Sequence, residues 1–171
     1  MPKPVHIGLI SDTHGLLRPE ALAALSGCDV VIHAGDIGGE MGGDTILSAL
    51  ALLGPVYAIR GNNDLPRGAA SERLRLNLGG VSILVVHDVN ELSTPYEADV
   101  VICGHSHRPS VTTVGPCLVV NPGSAGPRRF SLPVSVGRLV LGDGPPRAEL
   151  RVLDLGPKAP GRSASRPRRP R

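Results

Sequence analysis

The apolar residues of this chain fall in short runs separated by glycine, proline and small polar residues. Val5 to Ile10 is the first such run and reads as a buried strand. In the segment after it, Pro19 suits a first helical turn and Leu22 and Leu25 share a face. Gly27 can then take the left-handed conformation that stops a helix. Asp29 to Ala34 reads as a second buried strand. Gly38, Gly39, Gly42 and Gly43 predict a flexible connection, after which Asp44 can cap a helix bearing Ile46, Leu47, Leu50 and Leu53 at helical spacing up to Gly54. Pro55 to Arg60 completes a strand, helix, strand, helix, strand series, which implies parallel pairing through right-handed crossovers.

Beyond Asp64 the pattern changes. Arg73 to Leu78 alternates as a half-exposed strand, Gly79-Gly80 signals a hairpin, and Val81 to Val86 and Ala98 to Cys103 are buried strands. Val111 to Val114, Leu118 to Val120, Val134 to Leu141 and Ala148 to Leu153 follow as short strands, with no convincing helix among them. Parallel units in the first half and consecutive strands in the second predict two packed sheets, each with its own helical cover.

Composition narrows this picture in three ways. A chain of 171 residues is one domain by size, able to bury about 68–70% of its unfolded surface without disulfide or metal staples. Aromatics make up only 2% of it, which argues against a single-stranded nucleic-acid binder, since such proteins stack bases on aromatic faces. The net charge of +3 is misleading, because Pro157 to Arg171 carries six basic residues and no acid, leaving residues 1–156 at net −3. The chain therefore divides into a domain over 1–156 and a basic, Pro- and Arg-rich tail over 157–171 that is expected to be disordered. Cys28, Cys103 and Cys117 lie in or beside apolar runs without paired spacing and read as buried free thiols in a reducing compartment. No signal-peptide core or membrane-spanning apolar run is present, so a cytoplasmic location is expected.

The candidate chemistry sits where the strands end. Asp12 and His14, Asp36, Asn62, His87, and His105 with His107 each follow an apolar strand by a few residues. Ligands of α/β sheets collect outside the carboxyl ends of strands, so these seven residues form one candidate ligand set. If the segments are extended, residues two apart point the same way, and Asp12 with His14, or His105 with His107, can each address a single site. Gly35, Gly61 and Gly104 precede ligands, where a missing Cβ permits sharp turns near a cation. Imidazole, carboxylate and amide without thiolate favour Mn²⁺, Fe²⁺, Co²⁺, Ni²⁺ or Zn²⁺ over calcium. Seven ligands are too many for one catalytic ion and suit two. Asp12 and Asp36 would leave such a pair electropositive, fit for a phosphate and a hydroxide attacking phosphorus in line.

Taken together, Asp12-Thr13-His14, Gly35-Asp36, Gly61-Asn62-Asn63-Asp64, His87, Gly104-His105-Ser106-His107 and Asn121-Pro122-Gly123-Ser124 resemble the calcineurin-like metallophosphoesterases, particularly the small YfcE-type phosphodiesterases. The resemblance runs from about Val5 to Ser124. It implies a four-layer αββα sandwich of two packed mixed β-sheets flanked by helices. It also implies two divalent transition metal ions, manganese first, with nickel, iron, cobalt or zinc as alternatives. One ion would take Asp12, His14, Asp36 and His107; the other would take Asp36, Asn62, His87 and His105, with Asp36 bridging. The expected activity is phosphodiester hydrolysis on a small phosphoester, with no specific nucleic-acid partner and no membrane; a homo-oligomer is left open.

The chain departs from the pattern at two positions. Many relatives carry His where Asn63 stands. A neutral amide gives up no proton at useful cost, so a preference for activated leaving groups is expected. Asp88 follows His87 where relatives often have Gly, which bears on the loop more than on ligation. Asp64 is expected to orient a ligand or hold its turn, and Asn121 to Ser124 to form a turn near the site. His6 and His33 read as core imidazoles, and Arg108, Arg128 and Arg129 as surface residues. Two other functions compete with this one. A catalytically weak scaffold, as in the retromer subunit that resembles this family, is motivated by Asn63. A metallo-β-lactamase-like site would need an Asp where Pro109 stands.

Overall fold

A computed structural model of the protein describes residues 3–65 and 71–156, without the side chains of 39–42. The tail over 157–171 lies outside the described residues. The elements are β1 (Val5–Ile10), α1 (Pro19–Leu25), β2 (Val30–His33), α2 (Gly39–Ala51), β3 (Val56–Ala58), β4 (Arg73–Leu78), β5 (Val81–Val86), β6 (Val100–Ile102), β7 (Ser110–Val114), β8 (Cys117–Asn121), β9 (Ser135–Leu141) and β10 (Arg147–Val152).

They form two five-stranded sheets, ordered β10-β9-β1-β2-β3 and β4-β5-β6-β8-β7. In the first sheet β1, β2 and β3 are parallel, as the alternation of strands and helices requires, and β9 and β10 extend the other side antiparallel. In the second sheet β5, β6 and β8 are parallel, while the edge strands β4 and β7 run antiparallel to their neighbours. The carboxyl ends of β1, β2 and β3 thus share one edge, and those of β5, β6 and β8 share another.

Side-chain alternation divides the strands between layers. Ile7, Leu9, Ile32, Ile83, Val85, Val100, Ile102 and Leu139 fill the space between the sheets. Ile10, Val31 and Val136 face the other way, against Leu25 of α1 and Ile46 and Leu50 of α2. Gly8 is required by this second contact, since a Cβ there would lie 3.0 Å from Leu25 and 3.3 Å from the Cys28 sulfur. The outer face of the second sheet is smaller: Leu84, Val86, Val101, Cys103, Cys117 and Val119, packed beneath Val89, Leu92 and Tyr96.

Three local expectations need correction. Helix α2 starts at Gly39, with Gly38 at its N-cap and no side-chain cap, so Asp44 lies inside the helix and does not cap it. The glycines expected to be a flexible connection are partly helical. Glycine disfavours a helix, but packing of Ile46 and Leu50 overrides that weak preference. The cover on the second sheet is a 3₁₀ turn at Val89–Glu91 and irregular chain, with no α-helix there among the described residues. The sandwich of two mixed sheets itself is as expected. No helix among the described residues is long and apolar enough to cross a membrane.

Candidate metal centre

Beyond β1 and β2 the backbone continues paired. Asp12 N donates to Gly35 O (3.0 Å), His14 N to Asp36 O (3.0 Å) and Gly15 N to Ile37 O (2.9 Å), so the two loops lie side by side. The loop after β6 joins β5 through Gly104 N to His87 O (3.0 Å), and Ala125 N reaches back to Ser11 O (3.0 Å). These bonds gather the strand ends of both sheets at one crevice.

Asp12, His14, Asp36, His105 and His107 all have positive φ, between 46° and 63°. Left-handed backbone costs a non-glycine residue about 1–3 kcal/mol and persists only where surroundings impose it. Among the described non-glycine residues only Phe130 shares it. The backbone here is therefore not extended: Asp12 and His14 still fall in one ligand group, as expected, but His105 and His107 do not. The chain coils at these points, and His105 and His107 turn to different sides.

His107 Nε2 lies 3.1 Å from Asp12 Oδ1 and 3.3 Å from His14 Nε2. His14 Nε2 is 3.9 Å from both Asp12 Oδ1 and Asp36 Oδ2. On the other side, His87 Nε2 lies 3.4 Å from Asp36 Oδ2 and 3.9 Å from Asp12 Oδ1. His105 stands edge-on to the His87 ring, with its Nδ1 3.1 Å from Asn62 Oδ1. Two groups result whose ligand atoms fall within 4.8 Å of one another: Asp12, His14 and His107, and Asp12, Asp36 and His87. Asn62 and His105 flank the second group at the exposed side.

The bonding of each carboxylate shows which lone pairs remain. Asp12 is fully buried, and its Oδ2 accepts from Ser11 Oγ (2.6 Å) and His105 N (3.2 Å), while Oδ1 has no hydrogen-bond partner. Asp36 Oδ1 accepts from Asn63 N (2.9 Å) and its Oδ2 from Asn63 Nδ2 (2.6 Å), leaving one further lone pair on each oxygen. His87 Nδ1–H donates to the Ala34 carbonyl at 2.8 Å, so its buried and unpartnered Nε2 faces the crevice. Buried, unpartnered polar atoms are rare in folded proteins because each costs about 1–3 kcal/mol. Asp12 Oδ1 and His87 Nε2, both aimed at one point, fit a divalent cation.

The proton equilibria carry the same signature. Burial alone would lower the pKa of His87, but the Asp36 carboxylate and the Ala34 carbonyl hold it up, to about 9. Burial opposes ionisation of Asp36, yet His87 and Asn63 keep it well below the usual carboxylate range. A metal ion bound between these groups would displace the proton from His87. Burial lowers the pKa of His14, with Asp36 opposing and Arg129 assisting.

Asp64 does not touch the crevice. Its carboxylate accepts from Ile37 N (2.8 Å), Gly38 N (3.1 Å) and Gly61 N (2.9 Å), clipping the loop of Asp36 to that of Asn62. Asn63 clasps Asp36 through both its backbone and its side chain. The glycines before ligands are set by space: a Cβ on Gly35 would lie 2.7 Å from His87 Nδ1, and one on Gly104 2.7 Å from Asp12 Oδ2. Asp88 Oδ1 caps the 3₁₀ turn at Asn90 N (2.9 Å), and its Oδ2 is 3.7 Å from His105 Nε2. Asn121 Nδ2 donates to Gly104 O (2.7 Å) and Ser124 Oγ to Asp12 O (2.9 Å), so this turn braces the ligand loops from beneath.

Sequence reasoning passed over several contributors. Ser11 tethers one oxygen of Asp12, and an isolated serine beside an acid gives no signal of that. His33, read as a core imidazole, is fully buried, with Nε2 against Thr13 Oγ1 (2.9 Å) and Nδ1 accepting from Gly35 N (3.2 Å); it ties the loop after β1 to the loop after β2. Cys28, Cys103 and Cys117 are buried free thiols, and burial pushes the Cys103 thiol up to about 12.

The calcineurin-like phosphoesterase superfamily domain matches residues 5–144. A probable metallophosphoesterase of Methanothermobacter thermautotrophicus is 32% identical over 143 residues, covering 74% of this chain and 81% of that protein. Among solved structures, an archaeal phosphodiesterase superposes with a TM-score of 0.70 at 22% identity, over 87% of this chain and 100% of the other. Vps29 from Entamoeba histolytica, solved with zinc, gives 0.64 at 20% identity, over 86% and 99%. The chain belongs to the calcineurin-like phosphoesterase superfamily.

Proposed function

We propose that the protein is a two-metal phosphodiesterase whose catalytic domain spans residues 1–156. The reading is carried by one observation: two ligand groups share buried Asp12, and Asp12 Oδ1 and His87 Nε2 face inward without hydrogen-bond partners. Asp12, His14, Asp36 and His107 would hold one ion, and Asp36, Asn62, His87 and His105 the other. Asp36 is the better bridge of the two acids, because Asp12 Oδ2 already accepts two hydrogen bonds whereas each Asp36 oxygen accepts one. With no thiolate in the set, manganese and its first-row neighbours suit it.

Two bound ions would supply the activated water and the charge neutralisation that attack at phosphorus requires. The chain's own residues hold the geometry. Asn63 fixes the Asp36 carboxylate, the Ala34 carbonyl sets the His87 tautomer, and Ser11 orients Asp12. Hydrolysis forms a bond from a water oxygen to phosphorus and breaks the bond to the leaving alkoxide or phenoxide. Asn63 donates its amide to Asp36 and offers that leaving oxygen no acid. The likeness to an archaeal phosphodiesterase supports the diester class.

The test is metal-stripped protein supplied with Mn²⁺, Ni²⁺, Zn²⁺ or Mg²⁺ and assayed on aryl phosphodiesters and an aryl phosphomonoester. Turnover is expected with a transition metal, faster on diesters, and falling steeply as the leaving phenol becomes less acidic. Metal uptake without turnover on any substrate would replace this reading with that of a scaffold.

A further inference from the structure

The sequence makes Arg129 an ordinary surface residue, yet its Nη2 donates to His14 Nε2 at 3.4 Å. That nitrogen is the one facing Asp12, Asp36 and His107, and so the one that would ligate. A guanidinium therefore stands, together with His107 Nε2 at 3.3 Å, at the lone pair that a metal ion would claim, at the rim of a crevice holding two buried acids. Resting on the two-metal reading, we infer that Arg129 is the phosphoryl-binding arm of the site. It would cover His14 before metal binds and then engage the non-bridging oxygens of a phosphoester.

The loop that carries it is fixed to the site from several directions. At its base a Cβ on Gly126 would lie 2.6 Å from the Asp12 carbonyl oxygen, so the backbone is pressed against the ligand loop. Arg18 Nε donates to Gly126 O (3.2 Å), Arg128 Nη2 donates to Gly156 O (2.9 Å), and Leu132 N closes a turn on Arg129 O (3.1 Å). The next residue, Phe130, has φ +53° and is 93% exposed. A bulky residue in that conformation with little packing is held there by the turn. The strain sits in the turn that presents Arg129, not at an idle surface position.

The chemistry suits the assignment. Once His14 ligates a cation, it can no longer accept the Arg129 N–H, and like charges keep the guanidinium off the ion. Its planar fork of donors remains at the rim, matched to two oxygens of a tetrahedral anion. Among the described residues, Asp12 and Asp36 make their close ion pairs with histidines alone, so Arg129 is not spent on neutralising them.

The experiment is calorimetric titration of wild type, Arg129→Gln, Arg129→Lys and Arg128→Gln, first with Mn²⁺ and then, on the metal-loaded proteins, with inorganic phosphate. Arg129→Gln should bind Mn²⁺ at least as tightly as wild type, because a competitor for His14 is gone, and phosphate about tenfold or more weakly. Arg129→Lys should fall between, and Arg128→Gln should match wild type. Equal loss of metal and phosphate affinity in Arg129→Gln would make the residue a structural prop, and unchanged phosphate affinity would leave it a surface residue; either overturns the inference while the metal centre stands. Failure of wild type to take up metal would overturn the two-metal reading, and this inference with it.

Discussion

His33 shows how far a single side chain departs from what its surroundings in the sequence suggest. Its position in an apolar run made it a core imidazole, and it is one. What could not be read is that its two nitrogens engage Thr13 and Gly35, each in a ligand loop. Thr13 Oγ1 donates to the Ile37 carbonyl (2.7 Å) and so accepts from His33 Nε2–H, while Nδ1 accepts from Gly35; the neutral ring is fully satisfied. Burial lowers its pKa to about 4. Because the folded value lies below the unfolded one, the unfolded chain binds the extra proton between them. Stability is therefore full above about pH 6.5 and is lost as pH falls toward 4, by about 3 kcal/mol at most. His14, also lowered by burial, adds to the same window. Burial would lower His87, but Asp36 and the Ala34 carbonyl hold it up to about 9, so it works in the opposite sense between pH 9 and 6.5. The His33 loss is therefore read from the difference between wild type and His33→Gln on urea unfolding of metal-stripped protein at pH 7.5 and 4.5. His33→Gln should be less stable at pH 7.5 by about 1–3 kcal/mol and lose less on acidification. An undiminished acid loss in the variant would remove His33 from the account.

The strands were readable to within a residue or two, because a buried strand must be an apolar run and a half-exposed one must alternate. Arg73–Leu78 and Val81–Val86 stand at the expected bounds. Helix α2 was placed too late because its start is set by tertiary bonds: Asp64 accepts the N–H groups of Ile37 and Gly38 just before it. The left-handed backbone at five ligands was invisible for a similar reason, since none is glycine and the conformation is imposed by neighbouring loops. The junction of β2, α2 and β3 thus hangs on the Asp64 carboxylate. Asp64→Asn, which leaves one acceptor oxygen for donors on both loops, should cost about 1–3 kcal/mol of stability and lower metal affinity about 10–100-fold. Thermal unfolding and metal titration of the variant check both. Wild-type metal affinity in Asp64→Asn would show that the clip does not position Asp36.

The candidate site is a property of the whole sandwich, since Asp12, His14, Asp36 and Asn62 come from one sheet and His87, His105 and His107 from the other. Placement at strand ends was readable, because parallel strands of one sheet bring their carboxyl ends to one edge; that the edges of the two sheets meet was not. The division between the sides was not readable from spacing: it depends on how His105 and His107 coil away from each other. Nor was the difference between the two acids, which rests on Ser11 and the His105 amide saturating one oxygen of Asp12. On the proposed reading that difference makes Asp36 the bridge, and metal stoichiometry tests it. Metal-stripped wild type and Asp36→Asn, dialysed to equilibrium against micromolar Mn²⁺ and analysed for bound metal, should retain about two ions per chain and fewer than one, respectively. Wild type that holds one ion or none, or Asp36→Asn that still holds two, would contradict a two-metal centre joined at Asp36.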